Sequence, residues 1–169
     1  RRESDGSWAS SNQRYVAENI SSRGMLEPDA TILKDGRILI VCRGSDTTTC
    51  KGRKWMTWSE DGGKTLAPIE EFRYNNGKRF YSPSSIHRFF RSKKSGALYW
   101  FGNISDRPPS GNNPRHPLYV GIVDEENMAL IEASLEVIDT RRAGEPETLS
   151  LSNFYILEDR DTLDIELYM

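Results

Sequence analysis

A chain of 169 residues with 28% charged and 36% hydrophobic side chains is long enough for one domain with its own core, and polar enough to be rich in loops. The net charge of −2 argues against nucleic acid or an anionic membrane as the main partner, and no apolar run approaches the ~20 residues that cross a bilayer. Two cysteines, Cys42 and Cys50, are too few for a disulfide scaffold; two free thiols is the simpler reading, one bridge closing a small loop the other.

The start, Arg1-Arg2 without Met or a signal peptide, reads as a trimmed product or a piece of something longer. Residues 1–25 are polar and turn-rich. Ser4-Asp5-Gly6-Ser7-Trp8 reads as a tight turn, and Gln13 to Ile20 as one strand. The strongest signal is Leu26 to Arg43. Asp35-Gly36 lies between β-branched runs, the pattern of a hairpin whose turn positions must tolerate positive φ. The returning run, Ile38 to Cys42, is apolar on both faces and predicts an interior strand. Glu27 precedes the hairpin and Arg43 closes it. Both fall at the same end, so a carboxylate and a guanidinium displayed there can grip a ligand together.

A polar loop, Gly44 to Lys54, leads into a strand at Trp55 to Trp58. Ser59-Glu60-Asp61-Gly62-Gly63-Lys64-Thr65-Leu66 predicts a compact turn, with the Asp61 carboxylate accepting backbone N–H bonds and the glycines taking positive φ. Residues 68–74 read as an outer strand. The pattern then repeats: strands at Ser84 to Phe90, Ala97 to Gly102 and Leu118 to Val123, then an extended stretch through Ile138. A last hairpin is predicted at Leu151 to Leu157 and Leu163 to Met169. No segment carries helical apolar spacing.

These units predict an all-β chain in which each full unit is four antiparallel strands, the signature of a β-propeller, with a β-sandwich ranked second. The turns near Gly36, Gly96 and Arg160 recur at roughly sixty residues, somewhat longer than common propeller repeats. About three blades fit in residues 1–169 as a single partial domain, and a propeller closes with about four to eight. The expectation is therefore a fragment or half-propeller, or copies of the chain associating as a homo-oligomer to complete one six-bladed ring.

At this level the residues resemble the sialidase (neuraminidase) superfamily of six-bladed propellers. Ser59 to Leu66 is similar to its Asp-box, a structural motif of the outer rim between third and fourth strands, with Leu66 in place of the usual Trp. Glu27 and Arg43 stand sixteen positions apart (27 to 43), around an Asp-Gly turn, in the family's spacing of acid and arginine. Arg115, in Asn-Pro-Arg-His-Pro-Leu-Tyr-Val, resembles the last arginine of the family's carboxylate-binding triad. The resemblance implies a secreted or periplasmic glycoside hydrolase acting on the terminal sugars of glycans. It implies a tyrosine nucleophile whose proton goes to a glutamate, here Glu27, an aspartate as acid/base, and Arg43 and Arg115 binding the sugar's carboxylate by planar bidentate bonds that Lys cannot copy. Leu151 stands where the tyrosine would be, and the first arginine and the aspartate would precede residue 1.

Taken singly, Glu27 before Pro28 is a turn acid, Arg43 a solvated strand end, and Arg107 a competitor for Arg115; the site reading rests on their combination. His116, beside Arg115, is expected to line the pocket. His87 and His116 are not spaced as metal ligands, and neither metal nor cofactor is expected. Trp55, Trp58, Trp100 and Phe101 fit core better than sugar platforms. Asp106, Asp159 and Asp161 are turn residues before they are second carboxylates. Two classes of function follow: a sialidase-like hydrolase centred on Glu27, or a noncatalytic glycan-binding or structural propeller fragment using arginines and aromatics.

Overall fold

The computed structural model describes residues 1–169, and its only regular elements besides strands amount to one three-residue 3-10 turn at Glu132–Ser134. The all-β expectation holds. The first sheet runs in chain order through β1 (Leu26–Ile32), β2 (Ile38–Arg43), β3 (Lys54–Ser59) and β4 (Glu70–Glu71), all antiparallel. The β1–β2 turn is closed by Leu33 N–H to Arg37 O (2.8 Å), and Gly36 takes the φ of +88° that the turn demands. The Asp35 carboxylate accepts the Arg37 N–H at 3.0 Å. Alternation along β2 buries Leu39 and Val41 completely, as an interior strand requires.

The second sheet repeats the meander with β5 (His87–Arg91), β6 (Leu98–Asn103), β7 (Leu118–Asp124) and β8 (Ala129–Leu130). A further strand, β9 (Glu136–Asp139), pairs with the same edge of β7. The stretch expected to stay extended through Ile138 is thus broken at the 3-10 turn, where Ser134 Oγ accepts the Ile122 N–H (2.8 Å) in place of a strand partner. The C-terminal hairpin is β10 (Tyr155–Glu158) against β11 (Ile165–Tyr168).

Several expected strands are shorter or absent, the run from Leu151 among them, which becomes a strand only at Tyr155. Residues 68–74 contribute only Glu70–Glu71, since Pro68 has no N–H to donate and the ladder to β3 spans two rungs. Beyond it Tyr74 leaves to bridge Leu130 of the second sheet. Ser84 and Ser85 lie outside β5. Gln13 to Ile20 forms no strand: Ala17 O accepts the N–H groups of Ile20 and Ser21 in a turn. That segment instead lies over the Ser59–Leu66 turn, where Asn12 exchanges two hydrogen bonds with the Leu66 backbone (2.7 and 3.2 Å) and the Arg14 guanidinium donates to the Leu66 and Ala67 carbonyls.

The second sheet is buried on both faces. Leu98 and Trp100 of β6 join Leu39, Val41, Met56 and Phe72 in a core shared with the first sheet. Tyr99 and Phe101 point the other way, toward Leu118, Leu151, Phe154 and the hairpin's Ile156, Ile165 and Leu167. The order of layers is therefore first sheet, second sheet, hairpin. Asp29 Oδ2 pins the first two together by accepting the Phe89 N–H at 2.6 Å.

The Asp-containing turn between β3 and β4 has the form read from its residues. Asp61 Oδ1 accepts from Ser59 Oγ (2.8 Å) and from the N–H groups of Lys64 (3.0 Å) and Thr65 (2.9 Å). Those bonds, that from Thr65 first, hold its pKa down to about 2. Cys42 and Cys50 are free thiols.

Candidate functional site

Glu27 owes its position to a bulge. Leu26 pairs with Arg43 and Asp29 with Val41, so β1 carries one residue more than β2 between the same rungs. The bulge holds Glu27 at φ +45°, a left-handed backbone that a non-glycine residue adopts only at a cost. Its carboxylate is turned back to Arg43, with Oε1 and Nη2 3.0 Å apart. The acid and the guanidinium predicted to share one end of the hairpin do so.

Arg43 reaches further. Its Nη1 donates to the Ser84 carbonyl at 2.9 Å, and Arg115 Nη2 donates to the same oxygen at 3.2 Å. Arg115 is itself fixed by its backbone, which bridges Ser150 and accepts the Leu151 N–H at 2.9 Å. A third guanidinium, which sequence reasoning missed, completes the group. Arg23 donates to Ser84 Oγ (2.8 Å), Ser45 Oγ (2.9 Å) and Asn112 Oδ1 (3.3 Å). Nothing in its local sequence marks it, because its partners lie 22 to 89 positions away. Three arginines thus meet at one buried serine. Burial, then the neighbouring Arg43, pull the Arg115 pKa below its usual value, and Glu27 opposes them.

Under this cluster lies Lys54, completely buried and directly opposite Arg43 on the β2–β3 ladder. Its Nζ donates to the Ser85 carbonyl. Burial first, and then Arg43, bring its pKa down to about 7. Arg43 Nε, Arg115 Nε and Ser85 Oγ, all inaccessible to solvent, have no hydrogen-bond partner.

Glu27 also lines an open cleft of about 430 Å³ with Pro28, Ile86, Arg88, Asn153, Phe154 and Tyr155. Glu27 is its single carboxylate. Tyr155, 76% exposed, also lines this cleft. Leu151, at the position where the resemblance places a tyrosine, is packed with Phe101, Leu118 and Phe154 in the core. His116 is not brought to Glu27 and the arginines. It lines a separate cleft of about 380 Å³ with Asp106, Arg107, Tyr119, Thr140 and Arg141, whereas the Arg115 guanidinium is bonded to the Ser84 carbonyl. Arg107 goes with it, which leaves Arg115 as the loop's contribution to the cluster. Asp159 is occupied within the C-terminal turn, where it accepts the Asp161 and Thr162 N–H groups.

No family model, no curated protein and no solved structure matches this chain.

The chemistry of the site is consequently read from its own groups. Three guanidinium ions and a buried amine face one carboxylate, so the cluster carries surplus positive charge and suits an anion. Planar N–H forks select carboxylate or phosphate over a diffuse anion. The adjoining cleft adds a carboxylate able to take a proton and a phenol able to attack or donate.

Proposed function

We propose that the chain is part of a sialidase-type β-propeller that binds an acidic sugar, its carboxylate on the Arg23, Arg43 and Arg115 cluster and its anomeric carbon toward Glu27 and Tyr155. The observation that carries this reading is the convergence of three arginines on Ser84 with Glu27 ion-paired to one of them. Two successive four-stranded meanders packed face to face, each read in chain order, support the propeller. In this scheme the Tyr155 oxygen attacks the anomeric carbon as Glu27 accepts its proton, and the glycosidic bond breaks with the aglycone oxygen taking a proton from water. A second water then attacks the anomeric carbon, losing a proton to solvent, and Tyr155 leaves and recovers its proton from Glu27. Glu27, held by Arg43 at 3.0 Å, is the base of this scheme.

One observation favours a second reading, a noncatalytic glycan-binding propeller. The cleft has no second carboxylate to protonate a leaving group, and the two-carboxylate scheme needs a pair ~5–9.5 Å apart. Assays with a fluorogenic aryl α-sialoside, whose leaving group needs little acid assistance, separate the two. Turnover that disappears in both Glu27→Gln and Tyr155→Phe supports the hydrolase. Binding of N-acetylneuraminate without turnover, lost in Arg43→Met, supports the lectin-like reading. Neither turnover nor binding overturns both.

A further inference from the structure

The site holds a cation beneath its three arginines that the cleft does not reveal. Lys54 is wholly buried, yet its Nζ has a single protein acceptor, the carbonyl of Ser85, next in the chain to the serine that Arg43 and Arg115 both grip. An ammonium offers three N–H donors, and a buried one with two unmet and no counter-ion of its own is strongly disfavoured. The charged and titratable groups around it explain why. From β2 come the Arg43 guanidinium and the Cys42 thiol, from the segment before β7 Arg115, from β5 the neutral ring of His87, and from β1 Glu27. Only Glu27 is negative, and it is paired to Arg43 with nearly half of its side chain in solvent.

We propose that Lys54 is the hidden fourth cation of the anion site, neutral in the free protein and protonated when a carboxylate binds the Arg43 and Arg115 guanidinium groups. This rests on the anion-binding part of the reading above. An incoming carboxylate supplies the negative charge that the Lys54 neighbourhood lacks. Thermodynamic reciprocity then requires that whatever the anion does for protonation of Lys54, protonation does for anion binding. Burial already places the group where a modest field decides its charge near neutral pH, since its pKa lies at about 7. Anion binding should therefore take up a proton above that pH, and affinity should fall as pH rises through it.

The test uses the whole chain with isotope-labelled lysine. The Lys54 side-chain resonance is titrated from pH 5.5 to 10 for the free protein, with formate as a bare carboxylate, and with N-acetylneuraminate as a sugar acid. The expected result is a free midpoint near 7 that moves up by at least one pH unit with formate, and formate binding at least tenfold weaker at pH 9 than at pH 6. Lys54→Met, which keeps the apolar stem, should bind with no such pH dependence. The wild-type titration decides the matter even where that variant does not fold. An ordinary lysine midpoint near 10.4 in the free protein, a midpoint that formate leaves unmoved, or no formate binding at pH 6 overturns the proposal. Coupling to formate without binding of N-acetylneuraminate upholds Lys54 and removes the acidic-sugar reading. Binding of N-acetylneuraminate with an unmoved Lys54 does the reverse.

Discussion

Glu27 and Arg43 face each other at the open end of the β1–β2 hairpin, carboxylate to guanidinium at 3.0 Å, although the bulge at Glu27 and Pro28 puts them out of simple register. The pair is half in solvent on the Glu27 side, so it contributes less than ~1 kcal/mol to folding. In the hydrolase proposed above its part is chemical, with Glu27 taking the proton. Glu27→Gln should therefore lower turnover of an aryl glycoside by ~10²–10⁴-fold while leaving the denaturant midpoint nearly unchanged. Kinetics and urea unfolding on the same preparation check both. A large loss of stability with intact turnover would make Glu27 a structural turn acid.

The backbone at Glu27 yields a sharper expectation. A φ of +45° costs a side chain about 1 kcal/mol that glycine does not incur. Glu27→Gly should then be more stable than Glu27→Ala by about 1 kcal/mol, and both should be inactive. Equal stability of the two variants, measured by urea unfolding, would mean that the bulge relaxes in solution and Glu27 is not held.

Local patterns made most of the strand order legible before any coordinates. Asp35-Gly36 marked the first hairpin because turn chemistry is local, and Ser59 to Leu66 marked its turn because Asp61 bonds only to residues within four positions. The same logic failed where partners are distant. Arg23 was invisible because its acceptors, Ser45, Ser84 and Asn112, come from three loops. Gln13 to Ile20 looked extended, yet its hydrogen bonds go to a turn at Ala17 and, through Arg14, to the distant Leu66 and Ala67 carbonyls. His116 was assigned by adjacency to Arg115, but adjacency in an irregular loop does not fix direction, and the two side chains go to different partners. Leu151, where the resemblance places a tyrosine, packs in the core, and that Tyr155 lines the cleft depends on where β10 begins, which periodicity does not fix.

His87 makes folding sensitive to mild acid. The ring is fully buried, stacked on Trp100 at 6.2 Å and edge-on to Phe89 at 5.9 Å, and neither nitrogen has a hydrogen-bond partner. Burial first, then Lys54, hold its pKa well below the ordinary 6.5. The unfolded chain therefore takes up a proton near pH 6.5 that the folded chain refuses, and stability is lost as pH falls below that value, by up to about 1.4 kcal/mol per pH unit. The carboxylates whose pKa values are held low act only below about 4.5, so the window from pH 6.5 to 5 reports His87. His87→Leu should unfold at the same denaturant concentration at pH 6.5 and at pH 5, where the wild type weakens. It should not be less stable than wild type at pH 7, because an apolar side chain replaces two unsatisfied nitrogens.

Gly102 is required by the ring that stacks on His87. A Cβ there would fall 2.4 Å from Cζ2 and 2.5 Å from Cη2 of Trp100, a side chain with no exposure. Gly102 sits in β6 with His87 as its cross-strand partner, so the methyl would also approach His87 Cβ, at 3.2 Å. Gly102→Ala should cost about 1–3 kcal/mol, the usual penalty of overpacking a tight core. Its near-ultraviolet circular dichroism should change as Trp100 tilts off the imidazole. Because Trp100 packs between Phe72, Phe80 and His87, the disturbance should also raise hydrogen exchange at the β5–β6 ladder. An unchanged melting curve and an unchanged tryptophan signal would show that the ring is free to move, and that the two sheets are less tightly joined there than their packing implies.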